Sequence, residues 1–361
     1  MNTIKNKKIF FKVYVNGNEA NGLVKNGVKF YEKVTPHFLL QYTDTYDVPH
    51  NEEILNPNNF RNIVAGYASN YKKCKIISYG GIDCLGGTGN SLFRDSENLI
   101  ELDLSNFNTR NITDMSSMFF FCRNLSLLNL NNFNTNNAIF MGYMFYYCDK
   151  LSSLDLSSFN TSNVTHMNNM FAYCRTLTSL KLKNFNTSKV TNMNNMFYYC
   201  DKLSSLDLSS FNTSNVTNMS SMFGNCSKIT TLNLNNFNTS NVTSINNMFV
   251  ACSELTALNL SSFNTSNVTD MGDTFSYCSS LTTLDLSNFN TDSVTNMYGM
   301  FRNCFNLEEL DISNFNFTNV TNTTAMFLNI PKNCLIYVKD QTAKDFVLNT
   351  RNDLTNVVIK T

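Results

Sequence analysis

Acidic side chains recur at one place in a repeating pattern and are the first candidates for chemistry. They lie at multiples of 26 residues from one another, and Asn or Lys replaces them in other copies. Two such carboxylates could bind a cation or act as an acid–base pair. The alternative, which we favour, is a solvated row on the outer face of a sheet. The row consists of Asp103, Asp155, Asp207, Asp285 and Asp311.

Cysteines follow the same 26-residue period. Eight of the eleven cysteines take equivalent places, where Cys behaves as a small buried hydrophobic residue, so we expect free thiols rather than disulfides. There is no C-x-x-C pair and the only histidines are His37, His50 and His166, so we expect no metal and no cofactor. The eight cysteines are Cys122, Cys148, Cys174, Cys200, Cys226, Cys252, Cys278 and Cys304.

An aromatic row directly before these cysteines is the best candidate for a binding surface. Aromatic rings there could stack on sugars or contact a protein, and partial burial between copies is the alternative interpretation. The candidate binding stripe consists of Phe121, Tyr147, Tyr173, Tyr199 and Tyr277, flanked by Phe120, Tyr146 and Tyr198.

All three rows belong to one repeat of 26 residues, which runs without a gap from Leu99 to Lys332. The alternation of Leu154 and Leu156 is typical of the inward residues of a short strand. The apolar residues from Val164 to Cys174 have helical spacing. Each copy therefore predicts a strand, a turn and a helical or 3₁₀ return. Copies must stack to bury their apolar faces, and we expect their spacing to be tighter on the strand side than on the return side.

A Phe-Asn pair follows the strand in all nine copies. A buried amide needs hydrogen-bond partners, and a stacked row of amides supplies them. We therefore predict that the Asn side chains turn inward as a structural ladder, with a plain surface loop as the alternative. The ladder would consist of Asn108, Asn134, Asn160, Asn186, Asn212, Asn238, Asn264, Asn290 and Asn316.

The phrase LDLSSFNTSNVTNMSSMF with a following Cys resembles the leucine-rich repeats of the BspA-like surface proteins, also called the mycoplasma lipoprotein-associated repeat. The resemblance covers residues 91 to about 332. It implies an α/β repeat fold, a right-handed leucine-rich-repeat solenoid with a parallel β-sheet on one face. Members of the family are mostly bacterial or protist surface proteins, and some are linked to adhesion.

The flanks complete a four-part organisation. Residues 1–73 are predicted to form a small β-rich attachment subdomain, with strands at 9–15 and 28–31 that pair with each other. Three Asn-Gly pairs, at 16–17, 21–22 and 26–27, indicate tight turns, and the spacing of apolar residues predicts a helix in residues 58–73.

Residues 74–98 are predicted to be an N-terminal cap half-repeat, because residues 91–104 match residues 299–312 closely. Residues 99–332 hold the nine repeats. Residues 333–361 predict an α/β C-terminal cap with a strand, a helix with Asp340 as its N-cap, and a last strand.

Composition narrows the function. The chain has 27 basic and 27 acidic residues, which argues against nucleic acid as a partner, and no apolar stretch is long enough for a membrane span. No signal peptide or anchor is recognisable, so the localisation stays open between the cell surface or extracellular space and a virion. No catalytic constellation is visible, so we expect no enzyme activity.

Two hypotheses for function remain. The first is a non-enzymatic adhesion protein that presents a rigid solenoid to a protein or cell-surface glycan. The alternative is a phage virion or tail-associated protein, a decoration or receptor-binding subunit that docks on its scaffold through residues 1–73.

Overall fold

The computed structural model describes residues 11–15, 18–25, 28–31, 37–43, 49–54, 60–79 and 87–361. The first three strands form an antiparallel sheet in the order β1-β2-β3. They are β1 (Phe11–Val15), β2 (Asn18–Lys25) and β3 (Val28–Tyr31). Strand β3 pairs with β2 and not with β1, and the predicted turn at Asn21-Gly22 lies inside β2. The other two Asn-Gly pairs lie outside the described residues.

A second sheet joins the N-terminal region to the repeats. Its order is β5-β4-β6-β7-β8, and β6 is parallel to β7, the strand of the first repeat. The boundary predicted at residue 73 falls inside β6, in a sheet that the N-terminal strands share with the first repeat. The predicted helix is present as α1 (Phe60–Asn70). The strands are β4 (His37–Thr43), β5 (Pro49–Ile54), β6 (Lys73–Tyr79), β7 (Glu101–Asn106) and β8 (Leu127–Asn129).

The repeat region is a β-solenoid of about ten turns, and each 26-residue copy forms one rung. Parallel bridges join equivalent residues of successive rungs without interruption from Thr88 to Asn322. Short parallel strands form a second ladder where each rung carries its leucine-rich segment, and this ladder is interrupted in some rungs. The strands are β9 (Ser153–Asp155), β10 (Ser179–Lys181), β11 (Thr231–Leu232), β12 (Ala257–Leu258), β13 (Thr283–Asp285) and β14 (Glu309–Asp311).

The return of each rung is a chain of turns, and residues 87–333 contain no helix. The predicted helical return is therefore wrong. In one rung, the N–H groups of Met167, Asn169 and Phe171 donate to carbonyls of the next rung at 2.9–3.2 Å. The N–H groups of Met170 and Ala172, which alternate with them, close turns within their own rung at 3.2–3.3 Å. Because of this alternation, some N–H groups bond to carbonyls of the next rung and others bond within their own rung. In a helix, all of them would bond to carbonyls of the same helix.

The return side, and not the strand side, holds the rungs together most regularly. Residues 151–156 and 203–208 both read LSSLDL, yet the first forms strand β9 and the second forms no strand. Leu154 is buried, whereas its counterpart Leu206 is only partly buried. Tighter spacing was expected on the strand side, but the more regular pairing of the rungs is on the return side.

The interior is organised as columns of identical side chains. Ten phenylalanines from Phe93 to Phe327 stack at centroid distances of 5.3–6.0 Å, with ring planes within 16° of each other. Leu, Val and Met columns surround them, with most members fully buried. Parallel stacking at this distance adds to the hydrophobic gain of each ring.

After the last repeat, β15 (Leu335–Val338) pairs with β14, and β16 (Val357–Ile359) pairs with β15, all in parallel. Helix α2 (Gln341–Thr350) lies between them in sequence. The carboxylate of Asp340 accepts the N–H of Ala343 at 2.8 Å, so the predicted N-cap is confirmed. Neither described helix is long or apolar enough to cross a bilayer.

Threonine side chains join one rung to the next at the corner after Phe-Asn. The Thr187 hydroxyl donates to the carbonyl of Asn212 and accepts its N–H, both at 2.8 Å, and Thr187 is completely buried. Six other threonines make the same two-way contact at 2.7–2.9 Å; they are Thr109, Thr135, Thr161, Thr213, Thr239 and Thr291.

We predict that Thr187→Val lowers the free energy of unfolding by about 2–4 kcal/mol, because it removes the buried hydroxyl that pairs with both the N–H and the C=O of Asn212. The matched control Thr187→Ser keeps the hydroxyl and should cost only about 1 kcal/mol for the lost methyl group. Urea denaturation of both variants measures the difference. Equal losses would contradict the assignment of the hydroxyl as the contact between rungs.

Candidate functional site

The acidic row forms corners of the rungs. In Asp103, Asp155, Asp207, Asp285 and Asp311 the Oδ1 atom accepts the N–H of the residue two places on, at 2.9–3.0 Å. Asn129, Asn233 and Asn259 make the same turn with their amides. Hydrogen bonds from Ser157 and from the Lys181 ammonium lower the pKa of Asp155 to about 2. A general acid at neutral pH needs the opposite shift, so the row holds turns and is a poor acid–base pair.

The asparagine side chains that were predicted to turn inward lie on the outside of the solenoid. All nine Asn side chains are exposed or half-exposed, and each Oδ1 accepts the N–H of the residue two places on. The buried polar ladder is the threonine one residue later. The inward orientation predicted for Asn108, Asn134, Asn160, Asn186, Asn212, Asn238, Asn264, Asn290 and Asn316 is therefore wrong, because the turn uses the amide on the outside.

The cysteines form a buried column of free thiols, as predicted. Each thiol in the repeats donates to the carbonyl of the stacked phenylalanine one rung earlier, as Cys174 does to Phe145 at 3.2 Å. Burial raises the pKa of Cys174 and Cys252 to about 12. Within the described ranges, no three His, Cys, Asp or Glu side chains come together as a metal site would require.

The aromatic residues before the cysteines form one continuous surface, which we call the aromatic ridge. Its main column is Phe121, Tyr147, Tyr173 and Tyr199, with centroid distances of 4.7, 4.1 and 4.9 Å and ring planes within 19°. All four are half-buried. A second column beside it contains Phe120, Tyr146 and Tyr198, and the two columns touch edge to face.

The backbone of the main column is strained. Phe121, Tyr147, Tyr173 and Tyr199 have φ of 59–62°, in the left-handed region. This region costs an L-residue with a side chain roughly 1–2 kcal/mol, and Asn tolerates it best after Gly. The equivalent residues of later rungs include Asn225, Asn303 and Asn329, also with positive φ. Aromatic residues fill this position in four consecutive rungs, although Asn would fit the same backbone at less cost.

Tyr277 does not belong to the ridge. Asn225 and Ala251 occupy the two rungs between it and Tyr199, and Gly224 ends the second column. A Cβ at Gly224 would lie 2.9 Å from the Tyr198 ring. Tyr277 instead lies near the guanidinium of Arg302, at 5.5 Å. The structure thus brings together four of the five residues of the predicted stripe.

Charged residues directly after the cysteines alternate along the ridge as Arg123, Asp149, Arg175 and Asp201. The Arg175 guanidinium lies 5.3–5.6 Å from the centroids of Tyr147, Tyr173 and Tyr199, and that of Arg123 lies 4.6 Å from Phe121. Such distances favour cation–π attraction. The sequence analysis missed this column, although aligning the copies on their cysteines displays the alternation.

Burial raises the pKa of Asp149 and Asp201, although the neighbouring arginine and lysine charges act in the opposite direction. The Oδ1 atom of Asp149 is buried, and no described residue offers it a hydrogen bond. Burial also raises the pKa of Tyr146, Tyr173 and Tyr198, the last to about 12. The phenols are therefore protonated donors at neutral pH.

These features define a β-solenoid repeat protein with one surface that departs from its repeat. The chain belongs to the family described as "Mycoplasma protein of unknown function, DUF285", whose family model matches residues 89–180, 173–258 and 243–333, more than half of the chain. No curated protein and no solved structure matches the chain significantly.

The thiol column predicts a dependence of stability on alkaline pH. Because the pKa of a buried thiol such as Cys252 is raised from about 8.5 in the unfolded chain to about 12 in the fold, stability is complete below about pH 8.5 and falls as pH rises towards 12. Urea denaturation at several pH values measures the decline.

The same cysteines should react with a thiol reagent only after denaturant is added, and rapid labelling of the folded chain would contradict their burial.

Proposed function

We propose that this chain is a non-enzymatic binding protein that presents the aromatic ridge of a rigid solenoid to a ligand at a cell surface. The BspA-like resemblance of the repeat supports a surface location, because members of that family are mostly surface proteins. On this proposal the solenoid is a leucine-rich-repeat array, with caps at residues 74–98 and 333–361.

The observation that carries the proposal is the run of four adjacent aromatic residues at a position of positive φ. Tyr147, Tyr173 and Tyr199 occupy a backbone conformation that Asn fills in other rungs at less cost. Strained positions concentrate at functional sites, where the rest of the fold holds them. Aromatic residues retained there despite the strain are most simply explained by contact with a ligand.

Rigidity makes the ridge suitable for this purpose. The rings are fixed by stacking on their neighbours and by hydrogen bonds between rungs, such as the 2.7 Å bond from the Tyr173 N–H to the Tyr198 carbonyl. Little side-chain entropy is then lost on binding, which favours affinity. Tyr is also well suited to contact surfaces, because it combines a large apolar ring with a polar hydroxyl.

The alternative hypothesis, a phage decoration or receptor-binding subunit docked through residues 1–73, has no observation in the described residues to favour it and stays a prediction.

We predict that replacing Tyr147, Tyr173 and Tyr199 together by Asn abolishes binding and changes the free energy of unfolding by no more than about 1 kcal/mol per residue. Asn relieves the backbone strain, which offsets the lost ring contacts. The readout is retention of the labelled chain on arrays of immobilised glycans and extracellular-matrix proteins, with urea denaturation in parallel.

Tyr277→Asn is the matched control, because it makes the same change at the same place in the rung but outside the ridge. It should leave binding intact. A large fall in stability of the triple variant, with binding unchanged in the fraction that stays folded, would show that the rings serve the fold alone. Failure of the unmodified chain to bind anything on either array would also contradict the proposal.

A further inference from the structure

The ridge offers ring edges and hydroxyl groups to a ligand and keeps most of its ring faces covered. Tyr147 and Tyr173 stack on their neighbours at 4.1–4.9 Å, so both faces of each ring are already in contact. A sugar therefore has no free face on which to stack in the middle of the column. What remains is a row of phenol hydroxyl groups, which can donate hydrogen bonds to an acceptor-rich ligand.

The positive charge beside these phenols has no ion-pair partner among the described residues. Arg302 and Arg351 form ion pairs at 2.9 and 2.7 Å, whereas among the described residues no carboxylate lies within 4.0 Å of the charged nitrogens of Arg123 or Arg175. Both arginines are exposed, as are Lys150 and Lys202 beside them. Against these four basic groups stand Asp149 and Asp201 on the same rungs, and the exposed Glu97 takes the equivalent place one rung before Arg123. The ridge thus carries local positive charge on a chain whose formal net charge is zero.

The alternation of charged side chains along the ridge favours one spacing of anionic groups along the ligand. Successive rungs lie about 4.8 Å apart, so Arg123 and Arg175 are separated by about 10 Å along the solenoid. Asp149 lies between them and Asp201 follows, each beside a lysine, Lys150 or Lys202, that offsets its charge. A ligand with an anionic group at every rung would therefore meet net positive charge only at every second one, and a mismatch of this kind is a source of specificity. The matching ligand has anionic groups at intervals of two rungs.

From this geometry we infer that the aromatic ridge binds a linear anionic polysaccharide with one carboxylate or sulfate on every second sugar. This inference rests on the proposed function and names its ligand class. In an extended polysaccharide of this kind, the length of one sugar is about the distance between two rungs. The charged groups of the polysaccharide therefore face Arg123 and Arg175, and its hydroxyl oxygens accept hydrogen bonds from the phenols. An acidic peptide in β conformation fits less well, because its side chains return to one face every ~6.6 Å.

The experiment measures binding of the full chain to hyaluronan, which has one carboxylate on every second sugar, with neutral dextran of equal length as the comparison. We expect binding to hyaluronan alone, weakening as salt is added because exposed charges are screened. Arg123→Gln with Arg175→Gln should reduce affinity at least about tenfold, since each arginine supplies a hydrogen bond to a charged group. Asp149→Asn with Asp201→Asn should increase it by removing two negative charges from the ridge.

The matched control is Lys183→Gln with Lys189→Gln, which removes the same charge from two exposed side chains outside the ridge and should leave affinity unchanged. An equal loss in this control would show unspecific charge attraction and overturn the inference. Poly-L-glutamate bound as tightly as hyaluronan would also overturn it and point to an acidic protein. If the Tyr-to-Asn variant loses array binding but the unmodified chain ignores hyaluronan, the ligand class is wrong and the proposed function stands.

Discussion

Hydrogen bonding between successive rungs is the constraint on which the rest of this structure depends. Each return directs alternate N–H groups, such as those of Met167 and Asn169, to the next rung, while the intervening groups close turns. The chain can do this only by entering the left-handed region twice per rung. Because the bonds join equivalent residues, any insertion would break the register, which explains why the 26-residue period has no gap.

The polar composition follows from the same constraint. Asp155 and Asn160 each fold one corner of a rung by accepting the N–H two residues on, and Asn192 folds a third. Thr161 links the corner to the next rung. The acidic row and the cysteine column contain residues that could do chemistry. Their spacing is regular because these side chains form hydrogen bonds with the backbone of each rung. Regular spacing in a solenoid is evidence of a structural role first.

Function is better sought where the chain departs from what the rung requires. The rung tolerates Asn in its left-handed positions, as at Asn225, yet Tyr147 and Tyr173 occupy the same place in the ridge. The charges of Arg123 and Arg175 are likewise confined to these rungs, and serine follows the cysteine at Ser227 and Ser253. The coincidence of strained aromatic residues with arginines that form no ion pair among the described residues makes the ridge the most informative part of the molecule.

The sequence by itself determined the period, the buried columns and the flanking helices, because these depend on local spacing and on repetition; Cys174 in the core and Asp340 as an N-cap are examples. The tertiary structure decided the features that depend on contacts between neighbouring rungs. It turned Thr161 inward in place of Asn160, since only the next rung supplies the partner backbone. It made a strand of one LSSLDL segment and not of the other, because pairing across rungs, and not propensity, forms a strand this short.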